Sequence, residues 1–223
     1  MDYKVKTYED AVKIINEIGF LPLASLVPEY PSLNSITSKE SWHTDTEYDP
    51  WIWRTKFSTD GVAGYGKFIQ KKSILISRDL LPYVKKVLGY NEFVEDRYLK
   101  GNVSREALSI YKIIDEEAGI DTRVLRKKAG LQDKENKKVF DHALQELQGT
   151  MDIVISGIKE QKDENGEKNG WNSTAFETYE SWSSRNGIQE IIMKREEAKD
   201  YLLQFFAQFA SPVSVKKFKK IFK

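Results

Sequence analysis

Three short, capped helices followed by a pair of strands, over residues 101–180, predict a mainly α, α+β fold built on a winged helix-turn-helix with a wing hairpin. Ser104 caps a helix over Arg105–Ala118, where Ala107, Leu108, Tyr111, Ile114 and Ala118 recur at helical spacing and Gly119 is the stop. Asp121 caps a second helix, Thr122–Ala129, stopped by Gly130. The third, Lys137–Gln148, turns Val139, Phe140, Ala143, Leu144 and Leu147 inward and ends at Gly149. Met151–Ile158 then reads as a strand, Lys159–Gly170 as a charged tip bearing Asn and Gly, and Trp171–Tyr179 as the return strand.

The flanking segments read as helical and irregular elements packed around that module. Thr7 can cap a helix through Ile18, with Asp10 at the capping-box position, Ala11, Ile14, Ile15 and Ile18 as the apolar stripe, and Gly19 as the stop. Pro22, Pro28 and Pro31 pin residues 20–38 as an ordered loop. Tyr65–Ile76 fits either two short strands or a helix followed by a strand; its periodicity does not decide. Asp79 can cap a short helix over Leu80–Leu88, closed by Gly89, and another over roughly 91–99 ends at Gly101. Residues 180–193 connect to a helix over Arg195–Phe209, broken by Ser211-Pro212-Val213-Ser214. Val215–Lys223 reads as a short basic helix docked by Phe218 and Phe222. The division is thus a helical and aromatic-rich region at 1–100, the winged-helix module at 101–180 and C-terminal helices with a basic tail at 181–223, packed as one unit.

Composition narrows the function classes. At 223 residues, 40% hydrophobic and 12% aromatic, the chain can bury a substantial core. With no cysteine it has no thiol chemistry, disulfide or thiolate zinc site, which fits a cytoplasmic protein. No secretory h-region opens it and no apolar run spans a bilayer, so no membrane partner is expected. No phosphate-binding Gly-rich loop or nucleophile elbow is present, and the sequence points to no cofactor. The net charge of +1 hides basic clusters at residues 123–138 and in the last turns, which is where a polyanion would be met.

For a winged helix the third helix enters the major groove and the wing touches the backbone. The groups on offer are Arg123, Arg126 and Lys127 on the second helix, Lys137, Lys138, His142 and Gln145 on the third, and Lys159, Lys162 and Lys168 on the wing. Gln145 could read adenine while the lysines neutralise phosphates of double-stranded DNA. Asp141, Glu146, Asp163, Glu164 and Glu167 lie among them and would repel it.

The second constellation is Trp42-His43-Thr44-Asp45-Thr46-Glu47-Tyr48-Asp49-Pro50-Trp51-Ile52-Trp53-Arg54. It joins stacking surface from Trp42, Trp51 and Trp53 to ionisable groups. Asp45, Glu47 or Asp49 could act as general base with His43 as acid or anchor, beside an aromatic slot for a flipped base. The plainer reading makes the indoles glue between segments and the acids turn caps. On an extended strand His43, Asp45, Glu47 and Asp49 would share one face, a geometry that permits a metal, but hydrogen bonding is the simpler use and no metal is assigned.

Four stretches carry a family resemblance: AVKIINEIGFLPLASL at 11–26, GKFIQKKSILISRDLLPYV at 66–84, SREALSIYKII at 104–114 and ALQELQGTMDIVISG at 143–157. With them the chain resembles the AlkZ/YcaQ-type winged-helix DNA glycosylases, and most of all their short AlkZ-related branch. The resemblance implies a protein that handles damaged duplex DNA. The full-length enzymes excise alkylated or crosslinked purines by metal-independent hydrolysis of the N-glycosidic bond. Their signature, Gln or His, an apolar residue, then Asp or Gln, positions water and stabilises the sugar cation. Aligned through Ile18-Gly19-Phe20-Leu21, it falls here on Pro22-Leu23-Ala24, which can do neither. The expectation is therefore a DNA-binding relative of repair glycosylases without their catalytic pair. The alternatives are a diverged glycosylase using the acids of 45–49, or a module that holds a protein partner or a second copy on its Trp42–Trp53 surface.

Overall fold

The computed structural model describes residues 3–160 and 172–223. Among them it has eleven α-helices and two three-stranded antiparallel sheets, an α+β architecture.

The first half is built around one sheet. Helix α1, Tyr8–Ile18, begins where the Thr7 hydroxyl accepts the Asp10 amide at 3.2 Å and ends at Gly19 in the left-handed region. A side chain at Gly19 would also meet Leu80, so backbone and space both require glycine there. Strand β1, Phe20–Pro22, and the short helix α2, Leu33–Ile36, lie inside the segment expected as a pinned loop. Helix α3, Pro50–Thr59, follows a tight loop. Strands β2, Ala63–Ile69, and β3, Lys72–Ser77, resolve the ambiguity at 65–76 in favour of two strands, in the sheet order β1-β3-β2. Six of the seven residues of β2 are buried, which erases the alternation that would have marked a strand. Helix α4, Leu81–Leu88, takes Leu80 rather than Asp79 as its N-cap; α5 is Val94–Leu99.

The second sheet belongs to residues 105–178. Helix α6, Arg105–Glu116, carries the expected Ser104 cap. A two-residue strand β4, Ile120–Asp121, leads to α7, Thr122–Lys128, and α8, Lys137–Gly149. Strands β5, Ile153–Lys159, and β6, Ser173–Thr178, complete a sheet ordered β4-β6-β5. The expected tip between these strands lies largely outside the described residues, as does Trp171. The connecting stretch from 180 forms α9, Tyr179–Arg185, then α10, Arg195–Ala207, and α11, Pro212–Ile221.

Polar contacts with little solvent access join the halves. The Ser58 hydroxyl donates to the Ile155 carbonyl at 2.7 Å, and the Trp182 indole donates to the Ser58 carbonyl at 3.0 Å. The Gln148 side-chain oxygen accepts the Lys67 amide at 2.9 Å. Lys85 donates to the Met151 carbonyl at 2.9 Å, and Arg97 pairs with Asp152 at 2.5 Å. The C-terminal helices close over the first half instead. Phe206 stacks on Phe218 at 4.0 Å between centroids, both rings meet Phe20 and Tyr30 edge-on, and Ser214 donates to the Pro28 carbonyl. Phe218 and Phe222 are fully buried, so α11 is held by its apolar face while Lys216, Lys219 and Lys220 are exposed. No helix among the described residues is long and apolar enough to cross a membrane.

Candidate nucleic-acid interface

Helix α8 separates its two faces cleanly. Phe140, Ala143, Leu144, Leu147 and Gln148 are buried. Lys138, His142 and Gln145, at i, i+4 and i+7, share the opposite face, with Lys137 and Asp141 beside them. Lys137, Lys138 and His142 are exposed and Gln145 is half-buried.

Two acids of this module are already occupied. The Glu146 carboxylate turns inward and accepts the Ser104 amide at 2.9 Å and its hydroxyl at 2.7 Å. Asp121 caps α7 through the Arg123 amide at 2.9 Å. Asp141 faces solvent among the bases.

Helix α7 splits its basic residues. Arg123 and Lys127 are exposed. Arg126 is half-buried, donates to the carbonyls of Leu131, Gln132 and Asp133 and lies over the Phe140 ring, so it holds the turn into α8. Arg123 and Arg126 nevertheless line one open groove of about 540 Å³ together with Thr122, Gln132, Asn172, Ser173 and Thr174. The lining joins the exposed Arg123 to hydroxyls and side-chain amides, while the Arg126 guanidinium is largely committed to the turn carbonyls. Lys159 is exposed at the end of β5; Lys162 and Lys168 lie outside the described residues.

The Trp42–Arg54 run divides its three indoles. Trp53 is buried against Tyr8 and donates to the Glu47 carbonyl at 2.6 Å. Trp42 is half-buried and donates to the Thr37 hydroxyl at 3.0 Å. Trp51 is 42% exposed, with the Arg54 guanidinium 3.5 Å above its ring and His43 at 4.9 Å.

The segment 43–49 is not an extended strand. His43 and Asp45 both have positive φ, 62° and 54°, so the alternating side chains do not line one face. One carboxylate holds this loop. Asp49 is fully buried and accepts the amides of His43 at 3.0 Å, Asp45 at 3.1 Å and Trp51 at 2.8 Å, the last as N-cap of α3. Three amide donors leave it little capacity to bind and activate water. Asp45 and Glu47 are exposed. No group of three or more His, Asp or Glu among the described residues could hold a metal ion. The sequence did carry a signal for the role of Asp49: an Asp immediately before Pro50 is a helix N-cap followed by proline at the first helical position.

One site was not anticipated. A cavity of about 320 Å³ between α4, the turn at 90–93 and α9 is lined by Lys85, Tyr90, Phe93, Tyr179 and Glu180. Lys85 Nζ lies 3.7 Å from the Glu180 carboxylate, whose side chain is 57% exposed.

A family model described as AlkZ related matches residues 5–223. The chain belongs to the AlkZ-related family. Membership relates it to the AlkZ-type DNA glycosylases and spans both sheets and the C-terminal helices alike. No curated protein and no solved structure matches it. In this AlkZ-related chain, Pro22, onto which the resemblance aligned the first position of the glycosylase signature, is buried in β1 opposite Ile74. The Leu23 amide extends that pairing to the Ser73 carbonyl at 3.0 Å, and Ala24 is exposed. The segment is continuous with a sheet edge and offers water neither an amide nor a carboxylate side chain.

Proposed function

We propose that this chain binds double-stranded DNA through a winged helix and lacks the water-activating pair of the glycosylases to which its family is related. The order α6-β4-α7-α8-β5-β6, with a short strand between the first two helices and a sheet ordered β4-β6-β5, fits the winged-helix connectivity. In this reading α8 enters the major groove, the Arg123 and Arg126 groove seats a phosphate and Lys159 approaches the backbone. The observation that carries it is the exposed face of α8, where Lys137, Lys138, His142 and Gln145 remain available while Glu146 and Asp121 are tied into caps.

Lys137→Glu with Lys138→Glu should weaken binding of any duplex sequence at least tenfold. It should also flatten the dependence of log affinity on log salt by about 2, near 0.9 for each phosphate that is no longer neutralised. Failure of the unmodified chain to bind duplex even at low salt overturns the reading. Incubated with alkylated duplex, the chain should generate no abasic sites. Their appearance would point to a diverged glycosylase, with Asp45 and Glu47 the first acids to replace.

A second reading has its own observation. Trp51, with His43 and Arg54 packed on it, is an exposed aromatic surface, and Asp45 and Glu47 of the preceding loop are exposed as well. Those charges disfavour phosphate and suit a protein partner or a second copy of the chain. If so, Trp51→Ala shifts the sedimentation of a self-associated species to that of the monomer, or loses a co-purifying protein. A sedimentation profile and co-purification unchanged by the substitution sink the idea.

A further inference from the structure

The hairpin of β2 and β3 turns through a two-residue loop, Gln70–Lys71, between the paired residues Ile69 and Lys72. Both loop residues have positive φ, 52° and 61°. Such a turn strongly prefers Gly, Asn or Asp, because side chains are crowded in that region. This chain instead places two long polar side chains there, one of them cationic. Lys67, Gln70, Lys71 and Lys72 are all exposed, and residues 61–78 contain no Asp or Glu. Among the described residues, Lys67, Lys71 and Lys72 form no ion pair with a carboxylate. A turn that accepts an unfavourable backbone and concentrates uncompensated positive charge is built for a ligand of opposite charge.

Its position says which ligand. The Lys67 amide donates to the side-chain oxygen of buried Gln148, whose own nitrogen donates back to the Leu144 carbonyl. The hairpin strand is thereby fixed against α8 at Gln148, and its turn begins after Ile69, two residues and about 7 Å beyond Lys67 at 3.3 Å per residue. We infer that the Gln70–Lys71 hairpin is a second phosphate-binding element that grips the backbone of the same duplex beside α8. This rests on the DNA-binding reading above and extends it to an element outside the winged helix.

Two variants separate turn geometry from charge. Lys71→Gly relieves the left-handed backbone and removes the charge. It should raise the melting temperature by about 2–4 °C while weakening duplex binding severalfold. Lys71→Glu with Lys72→Glu should weaken binding about tenfold and flatten the salt dependence by about 2. Fluorescence anisotropy of a labelled duplex titrated with the 223-residue chain reads both affinities, and thermal unfolding followed by circular dichroism reads the stability. Duplex affinity and salt slope unchanged in the Glu variant overturn the inference, as does a Gly variant that is more stable and binds equally well. Loss of binding on changing the hairpin, with none on changing Lys137 and Lys138, overturns the placement of DNA on α8 but leaves the hairpin standing.

Discussion

Removing the carboxylate of Asp152 should cost about 3–5 kcal/mol, the range for breaking one partner of a buried ion pair. The Arg97 side chain is only 2% exposed and that of Asp152 8%, at an N–O distance of 2.5 Å. The two partners are not equivalent. Asp152 also has Lys85 Nζ at 3.5 Å and the Thr150 hydroxyl as a donor. Among the described residues Arg97 has Asp152 alone as its carboxylate, its Nε is buried without a partner, and the face of Tyr90 lies at 4.8 Å. Asp152→Ala strands a buried guanidinium and should fall at the top of the range, whereas Arg97→Met leaves an acid still served by Lys85 and should fall nearer the bottom. Urea denaturation of the two variants checks the order; equal losses, or losses below about 1 kcal/mol, would show that the pair is solvated. Replacing both with apolar side chains should recover much of the loss, because the largest part of it is an uncompensated charge. The pair joins α5 to the residue preceding β5, so opening it loosens the packing of the first half on the second sheet.

How much of this was readable from the sequence depends on how each element is buried. Helices α1, α6 and α8 have one apolar stripe; Thr7 and Ser104 mark the starts of the first two and Gly19 the end of α1, whereas α6 stops at Glu116, before Gly119, and α8 runs through Gly149 to its cap at Thr150. β2 is buried on both faces, so its pattern reads as neither helix nor strand. β4 has two residues, too few for any period, and exists because Ile120 and Asp121 pair with Phe176 and Ala175 of a strand more than fifty residues away. The candidate interface follows the same rule. Helical spacing places Lys138, His142 and Gln145 on one face without knowledge of the fold. Arg126 cannot be sorted that way, since its acceptors are backbone carbonyls that only the turn at 131–133 brings within reach. In the tryptophan run, composition announced a dense mixture of rings and acids, but which indole is core and which is surface is set by α3 packing against α1 and β5.

The loop at 43–49 gives the other large expected effect. His43 and Asp45 sit in a backbone region that costs a residue bearing a side chain on the order of 1 kcal/mol or more each. Such a conformation persists only where neighbouring contacts over-determine it, and here the hydrogen bonds converge on Asp49. Asp49→Ala removes the N-cap of α3, worth about 1–2 kcal/mol, and leaves the amides of His43 and Asp45 without their acceptor. A loss of about 3 kcal/mol is expected, allowing for water reaching part of the loop. Asp49→Asn should cost less, about 1–2 kcal/mol. Its carbonyl can replace Oδ1 toward His43 and Trp51, but its NH₂ group then meets the Asp45 amide as donor against donor. Asp45→Gly should partly rescue Asp49→Ala, since glycine takes a positive φ without the steric cost. Chemical denaturation orders the variants, and iodide quenching of tryptophan follows the loop, since Trp51 is the most exposed of the three indoles and lies at the loop's end. If Asp49→Ala left both stability and quenching unchanged, the carboxylate would not be holding the loop and would again be free to act as a base. If stability falls and the quenching of Trp51 changes together, Asp49 is what shapes the exposed surface of Trp51, His43 and Arg54, and any partner of that surface is lost with it.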